Sequence, residues 1–465
     1  MTVHNYTFTL KTLGPLHIGN GETYGKTDYF VMKDRKHVAV LDARKFIQNL
    51  KPEKMDAYLQ FLEDAAGRQS DDLTAFLRKQ HLEKEAAASC LYQAEMRLQQ
   101  NRGGVYRYFD VWQCIKDGWG KPYVPGSSLK GMIRTALLGA IIVKNPSAYK
   151  KSWRKEDLRS GDRRAATRAA NRLEAQALGD PLHQDPVDHA MHYISVSDSQ
   201  PLELTDLVFA QKYDAFAKND RADHKESDKQ GNRLNIYRES IKPGVEITFQ
   251  VSVDDYIERL LPGIKLDQAG LTALFKAESD RYDKVFASKF GATSCNEKGA
   301  AQAQSDGRCC YVYQSGPFAG QRCRNRAVGD TGYCNTHKAM AKAQATPTAS
   351  QSVVCYLGGG VGFTNKTVED ALLADERDYV NEVEHIMYAQ FPTKLARGKF
   401  RDIDRDVRDA GFRVTYKDYR GKQQKEDHRH WQDGELGVSP HTFKYGMVGS
   451  EKYPMGKCEL KIEGR

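Results

Sequence analysis

Along residues 3–11 apolar and polar side chains alternate, with Tyr6, Phe8 and Leu10 on one side and Asn5, Thr7 and Thr9 on the other. A period of two with one apolar face predicts a half-buried β-strand. The same alternation runs through 245–253, where Val245, Ile247, Phe249, Val251 and Val253 share a face. It returns at 455–462, where Cys458, Leu460 and Ile462 oppose Lys457, Glu459 and Lys461. The last four residues, Ile-Glu-Gly-Arg, carry no weight in this reading. Shorter strand-like runs lie at 106–114, 192–197 and 235–239, and 29–31 with 37–41 reads as a hairpin.

Between these strands the period lengthens. Residues 42–97, rich in Ala, Leu, Glu, Lys and Gln, read as helical with a break near Gly67. At 123–138 the string YVPGSSLKGMIRTALL places a Pro125-Gly126 turn before a helix capped by Ser127 or Ser128. Met132, Ile133, Ala136, Leu137 and Ala140 would be its buried side, and Lys130 and Arg134 sit together on another. Residues 144–174 form a basic helical region with ten Lys or Arg against four acids. There Arg164, Arg168 and Arg172 make one stripe beside Ala165, Ala169, Leu173 and Ala177. A helix is expected after Asp254, and another from Thr367 to Gln390 with Asp370 in capping-box position. Strands mixed with helices in this way indicate an α+β fold.

At 465 residues the chain is long enough for two to three domains. Charged residues are 28% and mean hydropathy is −0.67. The sequence has no leader pattern at its start and no uninterrupted apolar run of about eighteen residues, so a cytoplasmic protein without a membrane span is expected. Net charge is +9, which favours a polyanionic partner. Four of the nine cysteines, Cys309, Cys310, Cys323 and Cys334, cluster within a stretch whose flanks are rich in Ala, Gln, Ser and Gly. In a reducing compartment such a cluster points to metal. Cys323, Cys334 and His337, with Cys310 or Cys309, make a closed tetrahedral set for structural zinc. The expected ligands are Cys310, Cys323, Cys334 and His337, inside an inserted module at 296–350.

The polar residues of the opening helix turn suit phosphate. Ser127, Ser128, Lys130 and Arg134 combine hydroxyls, cations and free helix N–H groups, although a plain amphipathic helix with surface cations has the same pattern. Two glycine-rich turns could bring backbone close to a nucleic acid: Gly19 and Gly21 near the N-terminus, and Gly358, Gly359, Gly360 and Gly362 with Lys366 late in the chain. The later turn approaches a nucleotide-binding P-loop, but Asn365 stands where that motif needs glycine, which argues against an ATPase. His17 reads as a packed histidine and Asp28 as a turn residue. Residues 394–429 interleave Phe400, Phe412, Tyr416 and Tyr419 with twelve Lys or Arg, a composition able to stack bases.

PGSSLKGMIRTALL resembles the signature of the RAMP proteins of CRISPR effector complexes. LGPLHIGNGE at 13–22, NIYRESIKPG at 235–244 and GGGVGFTNKT at 358–367 make the chain similar to the fifth-subunit family of the type III-A Csm complex. The resemblance implies two RAMP domains of ferredoxin-like, RRM-like type with helical insertions, at 1–240 and 241–465. It implies a non-enzymatic subunit that binds guide RNA (crRNA), caps the 3′ end of the filament and assists crRNA maturation in antiviral defence. The partners implied are crRNA, the backbone and small Csm subunits, and host nucleases. The alternative is an RNA-cleaving RAMP subunit using Asp28, because the backbone subunit of that complex carries its cleaving aspartate at a similar place. The zinc-ribbon-like insertion is not part of the resemblance.

Overall fold

The computed structural model describes residues 2–66, 72–100, 106–153, 163–179, 189–217, 231–290, 323, 325, 326, 334, 352–373, 375–390, 413–417, 423–427 and 433–464. The chain separates into two compact units, one of Met1–Phe290 with Val353–Arg465 and one of Gly291–Ser352. The first unit is mixed α and β, as the pattern predicted.

Its first sheet is built around the N-terminal strand. Strand β1 (Val3–Thr12) lies between β12 (Glu246–Asp254) and β18 (Lys457–Gly464), antiparallel to both. β9 (Ile194–Val196) and β13 (Val353–Tyr356) complete the two edges. Tyr6, Phe8 and Leu10 are buried with Ile247, Phe249, Val251, Leu460 and Ile462. Each large apolar side chain removed from water in this way contributes about 1.5–3 kcal/mol, which fixes the register, since a one-residue slip would turn every one of them outward. Residues 462–464, given no weight above, belong to β18, and Gly464 pairs with Tyr6.

Two helices join the same core, α5 (Gly126–Lys144) and α8 (Gln268–Val285), and Phe275 of α8 meets Phe8 edge to face at 6.1 Å. By length and composition α5 could cross a membrane, contrary to the reading of its sequence. Here Leu129, Ile133, Ala136, Leu137 and Ile142 instead bury in the protein core, while Met132 and Ala140 are only partly buried. Behind α5 pack α6 (Pro146–Trp153) and α7 (Arg163–Leu178). Ala165, Ala169, Leu173 and Ala177 are buried as their stripe required, and Arg164 and Arg168 are exposed.

The second sheet runs in the order β17 (Glu451–Pro454), β16 (Thr442–Val448), β10 (Leu207–Phe216), β11 (Gly231–Ile241), β8 (Val111–Cys114), β2 (Gly19–Tyr24). Each of the two large sheets draws strands from both sides of residue 240.

The 42–97 region differs from its helical reading. It holds α1 (Ala43–Gln48), α2 (Pro52–Ala66), α3 (Leu73–Gln80) and α4 (Glu83–Ala88), then turns into strand β5 (Cys90–Glu95). β5 pairs with β4 (His37–Leu41), which pairs with β3 (Tyr29–Val31), and Tyr92 and Ala94 are buried in alternation. The expected 367–390 helix is also interrupted. It becomes α9 (Glu369–Leu372) and α10 (Glu376–Gln390), and Asp375 accepts hydrogen bonds from the N–H groups of Arg377 and Asp378 to start the second. Within 394–429 only the hairpin β14 (Arg413–Lys417) and β15 (Gln423–Asp427) is described. Phe400, Phe412 and Tyr419 lie outside the described residues.

Candidate nucleic-acid interface

Helix α5 begins two or three residues earlier than its serines suggested. Its N-cap is Pro125, with no side-chain cap of its own, and the Gly126 N–H donates to Asp198 Oδ1 at 2.7 Å. A side chain at position 126 would collide with the carbonyls of Val196 and Ser197, so glycine lets the helix start against β9. Ser127 and Ser128 therefore sit inside the first turn, Ser127 exposed and Ser128 half-buried. The cap comes from a carboxylate distant in sequence, which takes one of the N–H donors that an anion would otherwise use.

Ser128 and Arg134 line a cleft of about 360 Å³. Gly19 lines another part of it, and Gly358, Gly359 and Lys366 a third. Three motifs far apart in sequence thus share one concavity. Ser127, Lys130, Gly21, Gly360 and Gly362 are not among the residues that line it. Burial lowers the Lys130 ammonium below the usual lysine value. Arg134 is exposed and approaches Glu174 at 3.4 Å.

The glycine turn is fastened to the N-terminal motif. Gly359 N–H donates to the His17 carbonyl at 2.7 Å. Gly358 has φ +85°, and a Cβ there would stand 2.5 Å from that same oxygen. At Gly359 a Cβ would stand 2.9 Å from His17 Cδ2, and at Gly19 the same distance from His17 Nε2. The imidazole is packed between two glycines with no room for a methyl group on either.

His17 is 6% exposed. Its Nδ1–H donates to the Glu239 carbonyl at 2.7 Å. Burial, with Arg238 and Lys366 adding to it, brings its pKa down to about 4 against the pull of that hydrogen bond, so the ring is neutral at physiological pH. The Glu239 carboxylate is fully buried and satisfied. It accepts from Tyr92 OH, from the Cys114 N–H at 2.7 Å and from Lys116 Nζ at 2.6 Å. Burial opposes the Lys116 charge, but the paired carboxylate holds its pKa above the ordinary value. The 235–244 motif thereby locks His17 in place. Its Arg238 guanidinium lies 3.4 Å from where a Gly360 Cβ would be. Desolvation, and then Arg238, lower the Lys366 ammonium.

A RAMP superfamily pattern matches residues 9–286. The chain belongs to the RAMP superfamily. This RAMP protein is 27% identical over 252 residues to the CRISPR system Cms protein Csm5 of Streptococcus thermophilus, covering 53% of the chain and 63% of that relative. It is 27% identical over 266 residues to the protein of that name from Mycobacterium tuberculosis (strain ATCC 25618 / H37Rv), covering 54% and 66%. The match therefore spans less than two thirds of these relatives. Among solved structures, a chain of a Csm-crRNA-target RNA ternary complex of a type III-A CRISPR-Cas system aligns with TM-score 0.49 and 19% identity, covering 99% of this chain and 100% of that one. T. onnurineus Csm5 aligns with TM-score 0.44 and 22% identity over 79% and 94%.

Asp28 is engaged within its own turn. Its Oδ2 accepts the Gly25 N–H at 2.7 Å, and its backbone N–H donates to the Gly25 carbonyl at 3.1 Å.

In the second unit Cys323 and Cys334 are buried with their sulfurs 4.0 Å apart. Two thiolates on one tetrahedral zinc, each about 2.3 Å from it, stand about 3.8 Å apart, so the pair fits. Cys309, Cys310 and His337 lie outside the described residues, and no group of three metal-ligating side chains occurs among the described ones.

Sequence reasoning found the cations and glycines of the cleft but missed its inner wall of Phe275, Ser279, Tyr282 and Tyr356. A trace was present: Ser279 lies four residues after Phe275 on the apolar face of a helix, where a hydroxyl has no packing reason to be.

Proposed function

We propose that this RAMP protein is a binding subunit of a type III-A CRISPR effector complex and holds guide RNA in the cleft. The observation that carries the reading is the convergence of Gly19, Ser128, Arg134, Gly358, Gly359 and Lys366 on one concavity. Hydroxyls, cations and closely approaching backbone are what a ribose-phosphate chain requires. The likeness to Csm5 proteins of CRISPR systems supports this reading, and the type III-A setting is part of the proposal. In that setting the chain caps the 3′ end of the guide-RNA filament, contacts the backbone and small Csm subunits and assists crRNA maturation by recruiting host nucleases, all in the cytoplasm. Binding rather than cleavage is the proposed role, and the Asp28 carboxylate is read as a turn residue whose Oδ2 accepts the Gly25 N–H. For the second unit we propose structural zinc held by Cys323, Cys334, His337 and Cys310.

The test is affinity of the purified chain for labelled single-stranded RNA across a salt series. Log affinity should fall linearly with log salt, with a slope of about −0.7 per phosphate contact. A flat profile, or recovery of the tagged chain from its cell without small guide RNAs and other Csm proteins, would overturn the proposal.

A further inference from the structure

The inner wall of the cleft carries chemistry that phosphate does not need. Ser279, Tyr282 and Tyr356 are 7%, 4% and 9% exposed. Their three hydroxyls, and the side-chain nitrogen of Asn365 opposite, have no hydrogen-bond partner. Tyr282 and Asn365 lie close enough to influence one another, yet without the geometry of a made bond. The four residues that carry these atoms line one cleft. Native proteins rarely leave buried polar atoms unpaired, because each costs free energy, and a cluster of them facing one space marks a missing partner.

The partner's chemistry follows from the lining. The orphaned groups are uncharged and buried, while Arg134 and Lys366 are exposed, and the one carboxylate of the lining, Glu278, is paired with Arg281. A phosphate belongs with the cations. What belongs inside is a flat, uncharged group edged with hydrogen-bonding atoms. The rings agree: Tyr282 and Tyr356 lie 4.9 Å apart between centroids, and Phe275 closes the wall. A nucleobase offers a flat face to aromatic rings and donors and acceptors at its edge. The Asn365 nitrogen can only donate, so it requires a carbonyl oxygen or ring nitrogen, whereas the three hydroxyls can donate or accept. About 360 Å³ holds one nucleotide rather than a stacked run.

We propose that the cleft takes a single unpaired nucleotide turned out of the RNA strand, with its base enclosed by Tyr282, Tyr356 and Phe275 and its phosphate at the rim. The inference rests on the RNA-binding reading above. It adds that the site grips a base as well as the backbone.

The test uses the full chain and two labelled probes of equal length, an ordinary single-stranded RNA of about a dozen nucleotides and one built wholly of abasic riboses with the same phosphates. Wild type should prefer the ordinary RNA by at least about tenfold, with both probes showing the same salt slope. The double variant Ser279→Ala with Tyr356→Phe removes two orphaned hydroxyls and keeps the wall. Its melting temperature should match or exceed that of wild type, and it should lose affinity for the ordinary RNA while its binding of the abasic probe stays the same. Equal affinity of wild type for the two probes would overturn the base pocket and leave the phosphate reading standing. So would a double variant weakened equally toward both. Failure of wild type to bind either probe would overturn both proposals.

Discussion

Gly358→Ala tests the junction between the glycine turn and the N-terminal motif. Three costs follow from the geometry. The residue has φ +85°, and holding a non-glycine there costs about 1–2 kcal/mol. Its Cβ would lie 2.5 Å from the His17 carbonyl, the acceptor for Gly359 N–H, so relief by movement weakens a hydrogen bond worth about 1 kcal/mol. The same Cβ would lie 2.9 Å from Cδ1 of Leu16, a fully buried side chain, and such overpacking costs about 1–3 kcal/mol. The total is about 3–6 kcal/mol. Gly21→Ala is the control: φ there is +93° with nothing within 4 Å of the added carbon, so only the backbone cost of about 1–2 kcal/mol applies. Urea unfolding of both variants, followed by tryptophan emission, should separate them by about 2–4 kcal/mol. Equal destabilisation would refute the claim that the turn is pinned to His17.

Lys366→Ala and Arg134→Ala should each make the salt dependence of RNA binding shallower by about 0.7 in slope, and a variant with lower affinity but unchanged slope would remove its cation from the phosphate set. His17 is held neutral down to about pH 4 when folded, while the unfolded chain takes up the proton near pH 6.5. Its contribution to stability is therefore complete above about pH 6.5 and falls by up to about 3 kcal/mol as pH drops to about 4. His17→Asn should flatten urea midpoints across that window, and parallel wild-type and variant profiles would contradict the assignment. Metal analysis of the purified chain should find zinc that Cys334→Ser loses; zinc retained by that variant would count against the thiolate site.

Strands β1, β12 and β18 were legible because each buries one face, and burial of one face writes a period of two into the sequence. The α5 stripe was legible for the same reason at helical period. The start of α5 was not, because its cap is Asp198, and a cap supplied across the fold leaves no mark near the residues it caps. β5 was mistaken for helix because it follows the Ala- and Glu-rich α4, whose propensity masks a short run whose pairing with β4 decides its form. The break between α9 and α10 was equally hidden: Asp370 looks like a capping residue but ion-pairs with Arg281 at 3.3 Å. In the cleft, cations and glycines stood out by composition. The orphaned hydroxyls did not, since an unpaired tyrosine and a paired one are the same letter.

The central place of β1 has a consequence for how the chain reaches this fold. One long edge of β1 is covered by β12 and the other by β18, and the β18 contact joins Tyr6 to Gly464. During synthesis β12 emerges well before β18, so the half-built sheet presents an open, apolar-backed strand edge until the later segment arrives. Pairings of such sequence separation form slowly, and an exposed edge is the feature that chaperones and stray strands recognise. A nascent chain stalled before β18 should therefore be a chaperone client even though most of its core residues have already been made.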